Sequence, residues 1–115
     1  MKYLFITLSS IVIAYFVVVV FIYFYQRNLL YHPSENNYQN DEIKFDYEEV
    51  NIEVENEIKL KSWLINKDFK NLKTLLIFHG NAGDLSNRIY KLNELNKLEI
   101  NILLISWRGF SGNKG

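Results

Sequence analysis

Residues 75–84 read LLIFHGNAGD: four apolar residues run directly into a His-Gly-Asn-Ala-Gly turn. The segment Thr74 to Phe78 (TLLIF) shows no alternation of apolar and polar side chains. A strand apolar on both sides belongs in the middle of a sheet covered on both faces, the usual state of a parallel α/β sheet. Beyond the turn, Asp84 or Ser86 can cap a helix of about a dozen residues. Ile89, Leu92, Leu95 and Leu98 form an apolar stripe along it, with Arg88, Lys91 and Lys97 elsewhere. Ile100 to Ile105 (INILLI) then reads as a second buried strand. Strand, helix and strand make a right-handed parallel βαβ unit.

The bend therefore lies at the carboxyl end of a buried strand and just before a helix, where open α/β sheets place their ligands. Gly80 and Gly83 permit backbone angles and close approaches that side chains forbid. A phosphate loop needs G-x-x-x-x-G-K-[ST] and a dinucleotide site needs G-x-G-x-x-G, and this turn has neither spacing. One half of an oxyanion hole fits better: a backbone N–H facing the oxygen that turns negative when an ester, thioester or amide carbonyl is attacked. Losing such a donor typically costs about 3 to 4 kcal/mol of transition-state stabilisation.

Upstream, Val50, Ile52 and Val54 alternate with Glu49, Asn51, Glu53 and Glu55. After a short turn at Asn56-Glu57, Ile58, Leu60, Ser62 and Leu64 alternate with Lys59, Lys61 and Trp63. These segments predict a β-hairpin whose outward face carries glutamates opposite lysines and includes Trp63. Residues 32–45 read as a polar linker, because His32-Pro33 ends the preceding helix and Asn36 to Glu42 is polar. His32 reads as a solvated helix end.

That helix is predicted by the uncharged run Tyr3 to Tyr25. At 1.5 Å per residue it spans about 34 Å, enough to cross a bilayer. Its length and the lack of a small-x-small site after it favour an uncleaved anchor over a signal peptide. Tyr23, Tyr25 and Tyr31 sit at aromatic-belt positions with Arg27 among the headgroups. Lys2 and the amino terminus, set against Arg27, place the N-terminus in the cytoplasm and the soluble part on the non-cytoplasmic side. The division expected is thus an anchor over 1–31, a linker over 32–45 and a partial α/β domain over 46–115.

Charge and composition limit the alternatives. The chain has 115 residues with 13 basic and 13 acidic side chains. Residues 28–58 carry nine acids and one base and residues 59–115 ten bases and four acids, which points to packing between neighbouring segments. The bases are spaced singly, so no nucleic-acid partner is expected. With no cysteine, and with His32 and His79 far apart in sequence, neither a metal site nor a cofactor is expected.

HGNAGD followed by Asn87-Arg88, LLYHPSE behind the apolar run, and WRGF at Trp107 to Phe110 together resemble the membrane-anchored branch of the α/β-hydrolase superfamily, near its serine-aminopeptidase-like and depalmitoylase-like members. The resemblance implies that the Asn81 amide is an oxyanion donor. It also implies that His79, Gly80, Ala82 and Gly83 form the oxyanion-loop motif, with His79 structural rather than catalytic, and that Arg108-Gly109 brace the loop after the next strand. After the aromatic the family continues with glycine, a basic residue, serine, an acid and glycine, and Ser111-Gly112-Asn113-Lys114-Gly115 departs from that.

In the family the nucleophile elbow G-x-S-x-G, the acid and the catalytic histidine follow later in the chain than these motifs. Gly109-Phe110-Ser111 is no elbow, because the pattern requires glycine at 113 and finds Asn113. The function expected is the N-terminal part of a membrane-anchored serine hydrolase, inactive over these 115 residues alone, with the bilayer as partner and an acyl or peptide substrate in a full-length form. The alternative is a non-enzymatic single-pass membrane protein that binds a partner through the exposed sheet edge after Ile105.

Overall fold

A computed structural model describes residues 1–37 and 40–115; Tyr38 and Gln39, in the expected linker, lie outside the described residues. The chain divides into two units, Met1–Tyr31 and His32–Gly115. The first is helix α1, Lys2–Leu30, with no buried residue and a mean hydropathy of 2.7 in its most apolar window. Its 29 residues reach about 44 Å, long and apolar enough to cross a membrane. Tyr31 leaves the helix in an extended conformation.

Among the described residues the second unit holds two sheets. A four-stranded sheet contains β2 (Glu48–Glu53), β3 (Lys59–Ile65), β4 (Thr74–Phe78) and β6 (Asn101–Ile105) in the order β2-β3-β6-β4. β2 and β3 form the expected antiparallel hairpin, Val50 facing Ser62 and Ile52 facing Leu60. β4 and β6 form the expected parallel pair, Leu76 facing Leu103, with helix α2 (Ile89–Leu95) in the connection between them. A second, two-stranded parallel sheet joins β1 (His32–Pro33) to β5 (Ala82–Gly83).

Four details differ from the sequence reading. β6 is interior, antiparallel to β3 on one side and parallel to β4 on the other, so no open edge follows Ile105. Among the described residues the open apolar edge is β4, whose Leu75, Leu76 and Phe78 are exposed. The TLLIF pattern reports a strand fit for cover on both faces, and the described residues supply only part of that cover. Trp63 shares a strand face with Lys59 and Lys61 but is fully buried, because that face is solvated only along its first half and then passes beneath α2. Glu53 does face Lys59, whereas Glu49 faces Trp63 and accepts its indole N–H at 3.3 Å. The helix is also shorter than expected: a 3-10 turn, Ser86–Arg88, leads into α2, and Leu98 lies beyond its end, exposed.

The core comprises Phe45, Trp63, Ile65, Leu85, Ile89, Leu92, Ile102 and Leu104, with Ile43, Tyr47, Ile77, Leu95 and Ile100 packed against it. It lies between α2 and one face of the sheet. Asn101, in the otherwise apolar INILLI, is fully buried and fully used. Its Oδ1 accepts the N–H groups of Lys67 (2.8 Å) and Asp68 (3.0 Å), and its Nδ2 donates to the carbonyls of Asp68 (3.0 Å) and Leu72 (3.1 Å). One side chain thereby ties the loop before β4 to the start of β6.

Candidate functional site

The chain leaves β4 at Phe78 and turns through His79 and Gly80 into β5. Residues 80–83 are not helical, and Gly80, Asn81 and Ala82 are exposed. Gly83 adopts φ +78°, and a Cβ there would lie 2.0 Å from Asn87 Oδ1, the atom that accepts the Asp84 N–H at 2.9 Å. Glycine is required at 83 for both reasons. Gly80 differs: a Cβ there would meet nothing within 4 Å.

His79 is buried, and its ring is committed at both nitrogens. The Trp107 N–H donates to Nε2 at 3.3 Å, so Nε2 carries the lone pair and the proton sits on Nδ1, which donates to the Gly80 carbonyl at 2.7 Å. Ser106 Oγ lies 3.2 Å from Nε2. Burial lowers the pKa of His79; the Gly80 bond works against this, Arg88 adds to it and Asp84 opposes it, leaving the ring neutral near pH 7. The consequence for the loop is geometric. In a planar trans peptide C=O and N–H point in opposite directions, so holding the Gly80 oxygen aims the Asn81 N–H away from the imidazole.

The turn is supported from three sides. The His32 N–H donates to the Asn81 carbonyl at 2.9 Å and the Ser34 N–H to the Gly83 carbonyl at 3.2 Å. Arg88 Nη2 donates to the Ala82 carbonyl at 2.8 Å. Asp84 Oδ1 accepts the N–H of Ser86 (2.7 Å) and of Asn87 (3.3 Å), capping the turn into α2, and Oδ2 accepts the Ser34 hydroxyl. Burial alone would raise the Asp84 pKa, but the bonds from Ser34, Ser86 and Asn87 prevail and hold it below the ordinary carboxylate value.

Behind the turn lies the loop after β6. Trp107 donates its indole N–H to the His79 carbonyl at 2.7 Å and stacks on Phe78 with centroids 5.2 Å apart. Ser111, at φ 55°, is buried: its hydroxyl is 2.8 Å from Ser106 Oγ and accepts the Leu85 N–H at 3.1 Å, and its own N–H donates to the Ser34 carbonyl at 2.9 Å. Asn113 accepts the Lys61 N–H at 3.0 Å and donates to the Trp107 carbonyl at 3.0 Å. Arg108 and Gly109 are exposed in the turn between them, Gly109 at φ +74°. The segment that departs from the expected family pattern is thus a hydrogen-bonded turn.

A cleft of about 270 Å³ opens beside the loop, lined by Phe78, His79, Gly80, Arg88, Lys91 and Leu92 among others. Among the described residues no three His, Cys, Asp or Glu side chains gather as metal ligands. The sequence groups His79, Gly80, Asn81, Ala82 and Gly83 as one loop; the structure puts Ala82 and Gly83 in the short strand β5, and the stretch is supported by Ser34, Ser106 and Ser111, which no local pattern marks. Only the Pro33-Ser34 pair in LLYHPSE hints at order, since no local periodicity reports a bridge between segments so far apart.

No protein-family profile matches the chain. It is similar to protein bem46 of Schizosaccharomyces pombe, 29% identical over 104 residues, which cover 83% of this chain and 35% of that protein. It is similar also to an uncharacterized protein of Mycobacterium tuberculosis, 30% identical over 100 residues, 85% of this chain and 36% of that protein. Among solved structures, two crystal forms of a Pyrococcus furiosus esterase share its fold at TM-scores of 0.56 and 0.55, with 23% and 24% identity over 75% of this chain and 34% of the esterase. With the sheet order and the loop at the end of β4, these likenesses show the fold: the first part of an α/β-hydrolase fold, preceded in the chain by an apolar helix. The chain spans about a third of the length of the curated relatives it matches.

Proposed function

We propose that the chain is the oxyanion-loop portion of a membrane-anchored serine hydrolase acting on ester, thioester or amide bonds. The observation that carries this reading is the Gly80–Asn81 peptide, held through its carbonyl by His79 at the carboxyl end of β4. An amide fixed in this way needs no reorganisation when charge develops on a substrate oxygen, which is the source of oxyanion-hole catalysis. His79 is a positioning residue here, since both its ring nitrogens are occupied. In this reading the triad is not among these 115 residues, and what they supply is the oxyanion loop. The esterase character of the Pyrococcus neighbour supports an acyl substrate. In this reading α1 is an uncleaved signal anchor over 1–31, with the α/β part on the non-cytoplasmic side.

A fluorophosphonate probe tests the chemistry. The 115-residue chain stays unlabelled, and a longer form carrying a downstream G-x-S-x-G labels at that serine. Labelling of Ser111 in the short chain, or none in the long form, overturns the reading. Alkaline carbonate extraction tests the anchor: the chain remains with the membrane pellet, and release into the supernatant refutes the anchor.

A second reading rests on the exposed Leu75, Leu76 and Phe78 of β4. An open apolar edge strand recruits another strand, so a non-enzymatic chain of this length would bind a partner there rather than after Ile105. A Leu76→Lys change that leaves partner capture unaltered removes this reading.

A further inference from the structure

The segment His32–Ser34 carries no periodic signal, yet it bonds to both loops that build the site. It donates two N–H groups to carbonyls of the 81–83 stretch, presents the Ser34 carbonyl to the Ser111 N–H and gives the Ser34 hydroxyl to Asp84. The peptides on either side of Asn81 are consequently held by different partners. Gly80–Asn81 is fixed through its oxygen by His79, and Asn81–Ala82 through its oxygen by the His32 N–H. With the oxygens of both flanking peptides held, φ and ψ of Asn81, its only two soft dihedrals, are both restrained. Arg88, bound to the Ala82 carbonyl, faces the next peptide from the other side.

We propose that His32–Ser34 is a positioning strap: it completes the fixation of Asn81 that His79 begins, and it couples the 79–84 loop to the turn at Ser111. Its catalytic meaning rests on the hydrolase reading above; its geometry does not. The strap starts two residues after the last residue of α1 and restrains the peptide that follows the loop amide.

Amide hydrogen exchange on the 115-residue chain in detergent micelles tests the strap with three variants. His32→Pro removes the donor to Asn81, and Tyr31 already has the extended conformation that a following proline requires. Ser34→Ala removes the hydroxyl bond to Asp84, and Ser34→Thr keeps it. Losing one such bond raises exchange of the amides in 80–85 about five-fold in the first two variants. Amides of β3 and β6 stay within roughly two-fold of wild type, and the threonine variant behaves as wild type, given that these bonds act locally.

Unchanged exchange at 80–85 in both disruptive variants refutes the strap, and so does a uniform rise through β3 and β6, which would mark a merely structural segment. Should His32→Pro fail to fold, judged by loss of the buried Trp63 fluorescence, the Ser34→Ala and Ser34→Thr pair decides alone. The outcomes separate cleanly from the chemistry: a loosened loop with no fluorophosphonate labelling in a longer form sinks the hydrolase reading and keeps the strap, and the reverse result does the opposite.

Discussion

Replacing His79 by phenylalanine keeps most of the ring volume and deletes every hydrogen bond the imidazole makes. The Trp107 N–H loses its acceptor, Ser106 keeps its contact with Ser111, and the Gly80 carbonyl turns to solvent. One orphaned part-buried donor and one lost part-buried bond together cost about 2 kcal/mol at pH 7.5. The pH dependence adds a second signature. The folded-state pKa of His79 lies below its ordinary value of about 6.5, so folding excludes a proton that the unfolded chain accepts. The stability contributed by the neutral ring is therefore fully present above pH 6.5 and falls as pH drops below it, until the folded-state pKa is reached. At pH 5.5 the wild type is therefore less stable than at pH 7.5 by the share that the neutral ring contributes. His79→Phe abolishes this increment. Urea denaturation in micelles at pH 7.5 and 5.5, followed by tryptophan fluorescence, reads both effects. A variant within about 0.5 kcal/mol of wild type at pH 7.5, or one that keeps the wild-type acid sensitivity, refutes the assigned tautomer and the role built on it.

Asn101→Ala leaves the Lys67 and Asp68 amides and two carbonyls without their shared partner and destabilises the α/β part by about 2 to 3 kcal/mol, measured by the same titration; a loss below about 0.5 kcal/mol would contradict the clamp. Gly83→Ala costs about 2 kcal/mol, combining a left-handed backbone with the clash against Asn87 Oδ1. Adding Asn87→Ala recovers the steric share, so the double variant is less unstable than the sum of the singles, and strict additivity would show that the contact is absent.

The elements of this chain are legible wherever the signal is local. A long uncharged run, an alternating hairpin and two apolar strands around a helix follow from periodicity, and the structure has all of them. Trp63 shows the limit of alternation: the period tells which residues share a face but not how far along the strand that face is covered. Leu98 shows the limit of the helical stripe, because the apolar spacing continues past Leu95 where the backbone has already turned out of the helix. β4 shows the same for sheets, since the sequence of a strand records a two-sided environment without saying where its neighbours come from. At the site, His79 to Gly83 can be grouped because they are contiguous. Their supports cannot: Ser34, Ser106 and Ser111 are ordinary polar residues in loops, and only the fold brings their hydroxyls to Asp84, His79 and Leu85.

The parallel bridge between β1 and β5 also constrains the order in which the molecule can mature. Its two strands are separated by the entire hairpin and by β4, and the Ser111–Ser34 bond closes a still longer circuit. Closing such circuits costs entropy that local elements avoid. On a ribosome His32–Ser34 emerges long before Ser111, so the hairpin can assemble while the 79–84 loop still lacks its brace. The corner that carries the loop is therefore closed by the longest-range contacts of the α/β part, and its ordering has to wait for the turn at Ser111.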